Sequence, residues 1–379
     1  MINRFFDISG RGSTIRREII GGVTTFLTMS YIIFLHPNML SETGMDKGAL
    51  ITITCLASFF GTLLFGLWVK VPFAMAPGLG LNSYFTYTIV LGMGIDWKTA
   101  LGIVFISGVL FVALTIIGIR EKLVNSVPLS LRLAVPAGIG LLITFVGLKN
   151  LGLIISNEST FLALGSLTPT VLIGFAGLIL TALLEIKKIP GSILSGIVLS
   201  VIIALLFNYI SPPAEIFSSP PSPAPITFKL DIPGALQISF IGAIFSFLYI
   251  ALFDSIGTLI ACAYEAGLVE PDGKIKNIGK MLGSDALATM TGAVLGTSTV
   301  TAYIESASGI SSGARTGLAS VVTAGLFLLS PFLAPMIKIV PGYATAPALI
   351  IVGVYMFKTI AKIDFTDFLN GFPAFLTII

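Results

Sequence analysis

Charge is what this sequence has least of. Of its 379 residues only 10% are Asp, Glu, Lys or Arg, against roughly 25% in an ordinary soluble domain. So few charges cannot solvate a surface of normal size, which excludes a set of soluble globular domains. The net charge of +3 is too small for a nucleic-acid footprint, so no nucleic-acid partner is expected. There is a single histidine, His36, and only two cysteines, Cys55 and Cys262, both inside apolar runs. Those thiols read as small buried hydrophobes rather than a disulfide or a metal pair. No HExxH, Ser/His or CxxC spacing occurs, so no enzyme, metal site or cofactor is expected.

What the chain has instead is apolar length: 55% hydrophobic residues and a mean hydropathy of +1.02. The uncharged runs 49–69, 71–95, 99–119, 159–184, 189–214 and 316–337 each reach the ~20 residues that cross a bilayer as helix. The runs 19–41, 133–148 and 339–357 are similar or slightly shorter. The first follows a basic, polar lead, so no cleavable leader is expected. These runs predict an all-α polytopic membrane protein of about twelve segments. Lys and Arg concentrate on one side of the predicted membrane, among them Arg4, Arg11, Arg16, Arg17, Arg120, Lys122, Lys274 and Arg315. Lys47, Lys98, Lys149, Lys229 and Lys338 fall on the other. The positive-inside rule then places the N-terminus in the cytoplasm of a plasma-membrane protein.

The Pro-rich stretch 211–234 is the longest polar break and reads as an external loop. It separates a first set of seven segments (1–210) from a second set (235–379). The closing apolar run GFPAFLTII starts what reads as a thirteenth segment, so further C-terminal segments are expected to be missing. Seven plus seven would suit an inverted repeat, a common transporter plan.

Two segments make poor helices. The third contains MAPGLGLNSYF, with Pro77, Gly78 and Gly80 in its middle. The tenth contains TSTVTAYIESASGISSG, dominated by Ser, Thr and Gly. Irregular backbone at membrane depth survives only when buried in protein or lining a cavity. Each segment is the third of its half, and paired interruptions of this kind point to a substrate site. Glycines placed there only for close helix packing are the blander reading.

Asp254, Glu305 and Asp285 are the acids within these segments. A carboxylate at the bilayer centre costs ~2.5–3.5 kcal/mol on insertion scales, so Asp254 and Glu305 are read as functional. Asp285 is read as a helix N-terminal acid facing the positive dipole end. His36 is read as a capping or interfacial residue near the outer end of segment one. Two carboxylates suit a cation, a proton-coupled cycle or a ligand with N–H donors, such as a neutral heterocycle with amide or amino edges. Phe253 and Tyr84 could offer flat stacking surfaces.

Four stretches in order carry a resemblance: GGVTTFLTMSYIIFLHP, APGLGLNSYFTYT, ALFDSIGTLI and TSTVTAYIESASGISSGARTG. With these the chain resembles the nucleobase–cation symporter-2 family, in its azaguanine-type adenine/guanine/hypoxanthine permease branch. The resemblance implies fourteen segments in two inverted sevens, with short extended stretches in segments three and ten. A core domain (segments 1–4 and 8–11) would hold the base between segments three, eight and ten and move against a gate domain (segments 5–7 and 12 onward). Members are typically homodimers that couple purine uptake to protons; sodium is left open here. Carried over by position, Asp254 and Glu305 would accept hydrogen bonds from the base and take part in proton coupling. Asn82 would be a polar contact of segment three beside Gly80, and Thr258, one turn beyond Asp254, takes the place of a histidine in uracil-type relatives. Thr301 and Ser306 flank the segment-ten acid. Two positions depart from the pattern: Ala251 stands where many branch members carry a second acid, and Ser306 where the broader family has Asn.

The function expected is proton-coupled uptake of purine nucleobases by alternating access. The alternatives are an anion transporter of the sulfate or bicarbonate type with the same fold, which two site acids disfavour, and a cation channel. A channel needs a continuous polar path, and none is traceable in the sequence.

Overall fold

The computed structural model describes residues 2–118, 127–269 and 275–379. Arg120, Lys122 and Lys274, which entered the charge asymmetry, lie outside the described residues. After a short α1 (Ile2–Phe6), the first apolar segment is split into α2 (Ile15–Met29) and α3 (Ile32–Ser41). Helix α4 (Lys47–Leu64) ends in a π-helical turn, Phe65–Val69. Strand β1 (Met75–Pro77) leads into α5 (Leu79–Ser83), which continues as π-helix over Tyr84–Gly92, and then α6 (Trp97–Ile117). Next come α7 (Leu129–Leu151), the hairpin β2 (Ile154–Asn157) and β3 (Phe161–Leu164), α8 (Pro169–Ile186) and α9 (Ser192–Leu206). The second half holds α10 (Ile241–Glu265), α11 (Ile278–Leu295), β4 (Val300–Ala302) and α12 (Ser306–Ser311). It closes with α13 (Gly317–Leu329), α14 (Gly342–Phe357) and α15 (Phe368–Ile378).

Among the described residues, eight helical stretches are long and apolar enough to span a bilayer. Helix dominates because only helices and closed barrels satisfy every backbone group without water. Several expected crossings take another form. The run 159–184 is not one helix: its start lies in the β2–β3 hairpin. The helix begins at Pro169, where the Thr168 hydroxyl caps the Val171 amide. Pro at the first helical position and Thr before it are strong start signals. The run 189–214 yields only the 15 residues of α9, which stop before Asn208 in left-handed backbone and the Pro212–Pro213 pair. Segments three and ten, expected from their Pro, Gly, Ser and Thr to be poor helices, are strand followed by short helix, the extended stretches that the family resemblance implied.

The chain folds as two compact units. Unit one is Met1–Val124 with Ser218–Ala334; unit two is Asn125–Phe217 with Pro335–Ile379. In unit one, α4, α10 and α11 pack on the β1–β4 pair, and α2 packs on α12 and α13. Phe65, Phe73, Met75, Leu259, Met281 and Val300 belong to one buried cluster of this unit, as does Cys262. Part of the Pro-rich loop closes over this unit: the Pro221 carbonyl accepts from Thr52, and the Leu295 carbonyl accepts from Thr227. In unit two, α7 packs on α14 and α15, and α8 on α9 and α14. Gly140 and Gly353 face each other there, each lying against the other's carbonyl, the small-residue contact that lets membrane helices approach.

Candidate functional site

The site begins with a problem of backbone chemistry. β1 and β4 pair antiparallel with Met75 opposite Ala302, Ala76 opposite Thr301 and Pro77 opposite Val300. All six residues are buried. A two-stranded sheet has two edges, and buried edge groups without partners cost about 1–3 kcal/mol each. Hydroxyl side chains take up several of these edge groups. Thr62 of α4 accepts from the Met75 amide at 2.9 Å and donates to the Met75 carbonyl at 3.0 Å. Thr289 of α11 donates to the Val300 carbonyl at 3.0 Å. Ser306 accepts from the Ala74 amide and donates to the Tyr303 carbonyl. The Tyr303 hydroxyl donates to the Pro77 carbonyl at 2.6 Å, tying the two broken segments together.

Both acids stand at this frame. Asp254 lies in mid-α10, half-buried; a Cβ added to Gly78 would be 3.7 Å from its Oδ2 and 2.9 Å from the Thr301 methyl. Only a glycine leaves that space open beside the carboxylate. Glu305, also half-buried, immediately precedes α12. Asp254 lies within electrostatic reach of Glu305 and Asp285, and Tyr303 within reach of both Asp254 and Glu305. The Tyr31 hydroxyl, from the joint between α2 and α3, donates to Oε1 of Glu305.

The other expected residues divide into two groups. Asn82 is fully buried in α5; its Oδ1 accepts from Ser298, and its Nδ2 is a buried donor with no partner among the described residues. Thr301 is buried with its hydroxyl likewise unpartnered, and Thr299 matches it. Gly80 lies in α5, and Thr258 follows Asp254 by one turn of α10, half-buried. Phe253 packs instead against the Phe111–Leu252–Ala286 cluster and edge-on to Tyr249. Tyr84 stacks edge-on to Phe247, two turns before Asp254 on α10. Ser306 is committed to the strand frame.

Two expectations are corrected. His36 is not an interfacial residue: it is fully buried, with Nδ1 2.7 Å from the Thr54 hydroxyl and Nε2 2.7 Å from that of Thr297. Those partners come from distant parts of the chain, so its local sequence gave no sign of them. Asp285 is not at a helix N-terminus: it lies two turns into α11, beyond the first turn where the dipole acts. It is buried and accepts from Ser255 of α10 at 2.6 Å. Sequence reasoning missed Tyr31, Tyr303 and Ser298. All three do lie in the quoted segment-one and segment-ten stretches, the one signal that could have found them.

A sequence model described as the Permease family matches residues 16–379. The chain belongs to this family, the nucleobase–cation symporter-2 proteins. It is 47% identical to a putative permease of Methanocaldococcus jannaschii, over 100% of this chain and 87% of that protein. The adenine permease AdeP of Escherichia coli is 40% identical, over 100% of this chain and 85% of its own length. The guanine/hypoxanthine permease PbuG of Bacillus subtilis is 43% identical, over 99% and 88%. Among solved structures, the transmembrane domain of the cyanobacterial bicarbonate transporter BicA is similar with a TM-score of 0.67. It is 16% identical, with 96% of this chain and 97% of that one covered. At that identity the likeness speaks for the fold, the core-and-gate transporter architecture. The chain is thus a multi-pass permease of the plasma membrane and not an enzyme.

Proposed function

We propose that this permease is a secondary transporter that takes up purine nucleobases, with the base held at the β1–β4 pair of unit one. One observation carries the reading: two carboxylates, one from α10 and one preceding α12, flank the same buried strand pair. A purine presents ring N–H and amino donors, and carboxylates accept from such donors. Asn82 Nδ2 and the Thr301 hydroxyl supply buried polar atoms that a ring nitrogen or carbonyl could engage. The same two acids would repel an anion, so the likeness in fold to a bicarbonate transporter does not extend to its cargo. The names of AdeP and PbuG support the purine class.

Uptake is proton-coupled in this reading, with Asp254 and Glu305 as the groups that take up and release the proton. The membrane potential then contributes ~2.3 kcal/mol per charge per 100 mV to concentrating a neutral base. Unit one acts as the ligand-bearing core and unit two as the gate, and alternating access exposes the site to each side in turn. Thermal-shift measurements on the purified protein test the cargo: adenine, guanine or hypoxanthine should stabilise it, and uracil and sulfate should not. Glu305→Gln replaces an acceptor oxygen with a donor and should weaken purine binding by at least about 100-fold. Asp254→Asn should impair uptake. Wild-type-like binding and accumulation by both variants would refute the assignment.

A further inference from the structure

Tyr31 stands at the joint between α2 and α3, where the Phe34 and Leu35 amides both donate to its carbonyl. Its side chain is 1% exposed, and its hydroxyl donates to Oε1 of Glu305. The contact crosses the two halves of the sequence and is set by packing below it. A Cβ on Gly21 of α2 would lie 2.8 Å from the Gly309 carbonyl, and one on Gly309 would collide with the Gly21 carbonyl and the Thr25 hydroxyl. α2 and α12 therefore touch backbone to backbone. Gly22 does the same against α13, where its carbonyl accepts from Thr323 at 2.8 Å. Held on two sides, α2 delivers the phenol to a fixed point.

Glu305 itself is poorly constrained by its neighbours in sequence. Three rotatable bonds separate its carboxylate from a backbone followed by Ser, Ala, Ser and Gly. A buried Tyr turns only about two side-chain bonds and can donate a single hydrogen. We propose that Tyr31 is a positioning residue for the substrate site: its hydroxyl fixes the Glu305 carboxylate and holds it as an acceptor for the N–H edge of the base. A carboxylate has about four lone-pair positions, so one phenol does not saturate it as an acceptor. The inference rests on the reading of Glu305 as the acceptor of the base.

The test is Tyr31→Phe in the full chain, which removes one oxygen and keeps the ring. Purine affinity should fall by about tenfold, the loss of one hydrogen bond to a charged group. In proteoliposomes KM should rise by the same factor with Vmax within about twofold, and the melting temperature should stay at the wild-type value. Infrared difference spectra read the contact without ligand: the carboxylate band that Glu305→Gln removes should be displaced in Tyr31→Phe. An unmoved band, an unchanged Kd, or a loss of affinity matched by a loss of thermal stability would overturn the inference. Glu305→Gln, run alongside, separates two failures. If it binds purine normally, the site reading fails; if it loses binding while Tyr31→Phe does not, only the role of Tyr31 fails.

Discussion

Thr62→Val puts the strand frame to a quantitative test. The substitution is nearly isosteric and changes one atom that matters, the hydroxyl that both accepts from the Met75 amide and donates to the Met75 carbonyl. In the variant two backbone groups are stranded at a buried edge, since Thr62 is itself fully buried and so is Met75. At about 1–2 kcal/mol for each orphaned group, the loss is about 2–4 kcal/mol. Side-chain hydrogen bonds in membrane proteins average less, about 0.6 kcal/mol, because the unfolded chain in lipid finds other partners. That discount does not apply here. In the unfolded reference the segment can coil into helix and satisfy Met75 by itself, so only the native strand carries the penalty. Reversible unfolding in mixed detergent and SDS micelles measures the difference. Thr24→Val is the control: among the described residues the Thr24 hydroxyl bonds only back to the Ile20 carbonyl of its own helix, so its loss should stay within about 0.5 kcal/mol. If Thr62→Val were as mild as this control, the claim that hydroxyls close the strand edges would be wrong.

Two further variants probe what surrounds the frame. Gly309→Val should raise the helix propensity of α12 yet destabilise the protein by about 1–3 kcal/mol, because its side chain must displace Thr25 and the Gly21 carbonyl; a melting temperature at or above wild type would refute the backbone contact. His36→Phe keeps the ring volume but removes both nitrogens from Thr54 and Thr297, and should cost about 1–3 kcal/mol in the same unfolding assay; an unchanged midpoint would show that the buried link is dispensable.

The intramembrane acids and the broken segments were legible in the sequence for one physical reason. Polar and helix-breaking residues are costly in lipid, so Asp254, Glu305, Pro77 and the Ser/Thr run around Thr301 stand out against an apolar background. What could not be read was anything that depends on a partner far along the chain. The β1–β4 register joins residues more than two hundred positions apart, and no local pattern fixes which strand meets which. The same holds for His36, whose partners lie 18 and 261 positions away. Glu18 was overlooked altogether: set beside Arg16 and Arg17, it looks like part of a solvated face. It is fully buried and accepts from the Arg315 and Thr316 amides at the start of α13. Apolar length also misled, since 159–184 is uncharged throughout but its first part pairs as a hairpin. Hydropathy measures what a segment tolerates, not what its backbone does.

The polar side chains around the β1–β4 pair include two kinds that differ in what they leave unpaired. Thr62, Thr289, Ser306 and Tyr303 are paired with strand or near-strand backbone, so they satisfy edge groups of the β1–β4 pair that no water could reach. Asn82 Nδ2 and the hydroxyls of Thr299 and Thr301, on or beside the same frame, are buried with no partner among the described residues. Left so permanently, each would cost about 1–3 kcal/mol, and hydrophobic replacements of similar shape would remove the cost. Polar groups left open beside two carboxylates, where neighbouring ones are paired, are what the proposed polar cargo would require. On the proposed reading, a base entering the site would give these open atoms their partners and, on leaving, would have only a few hydrogen bonds to break.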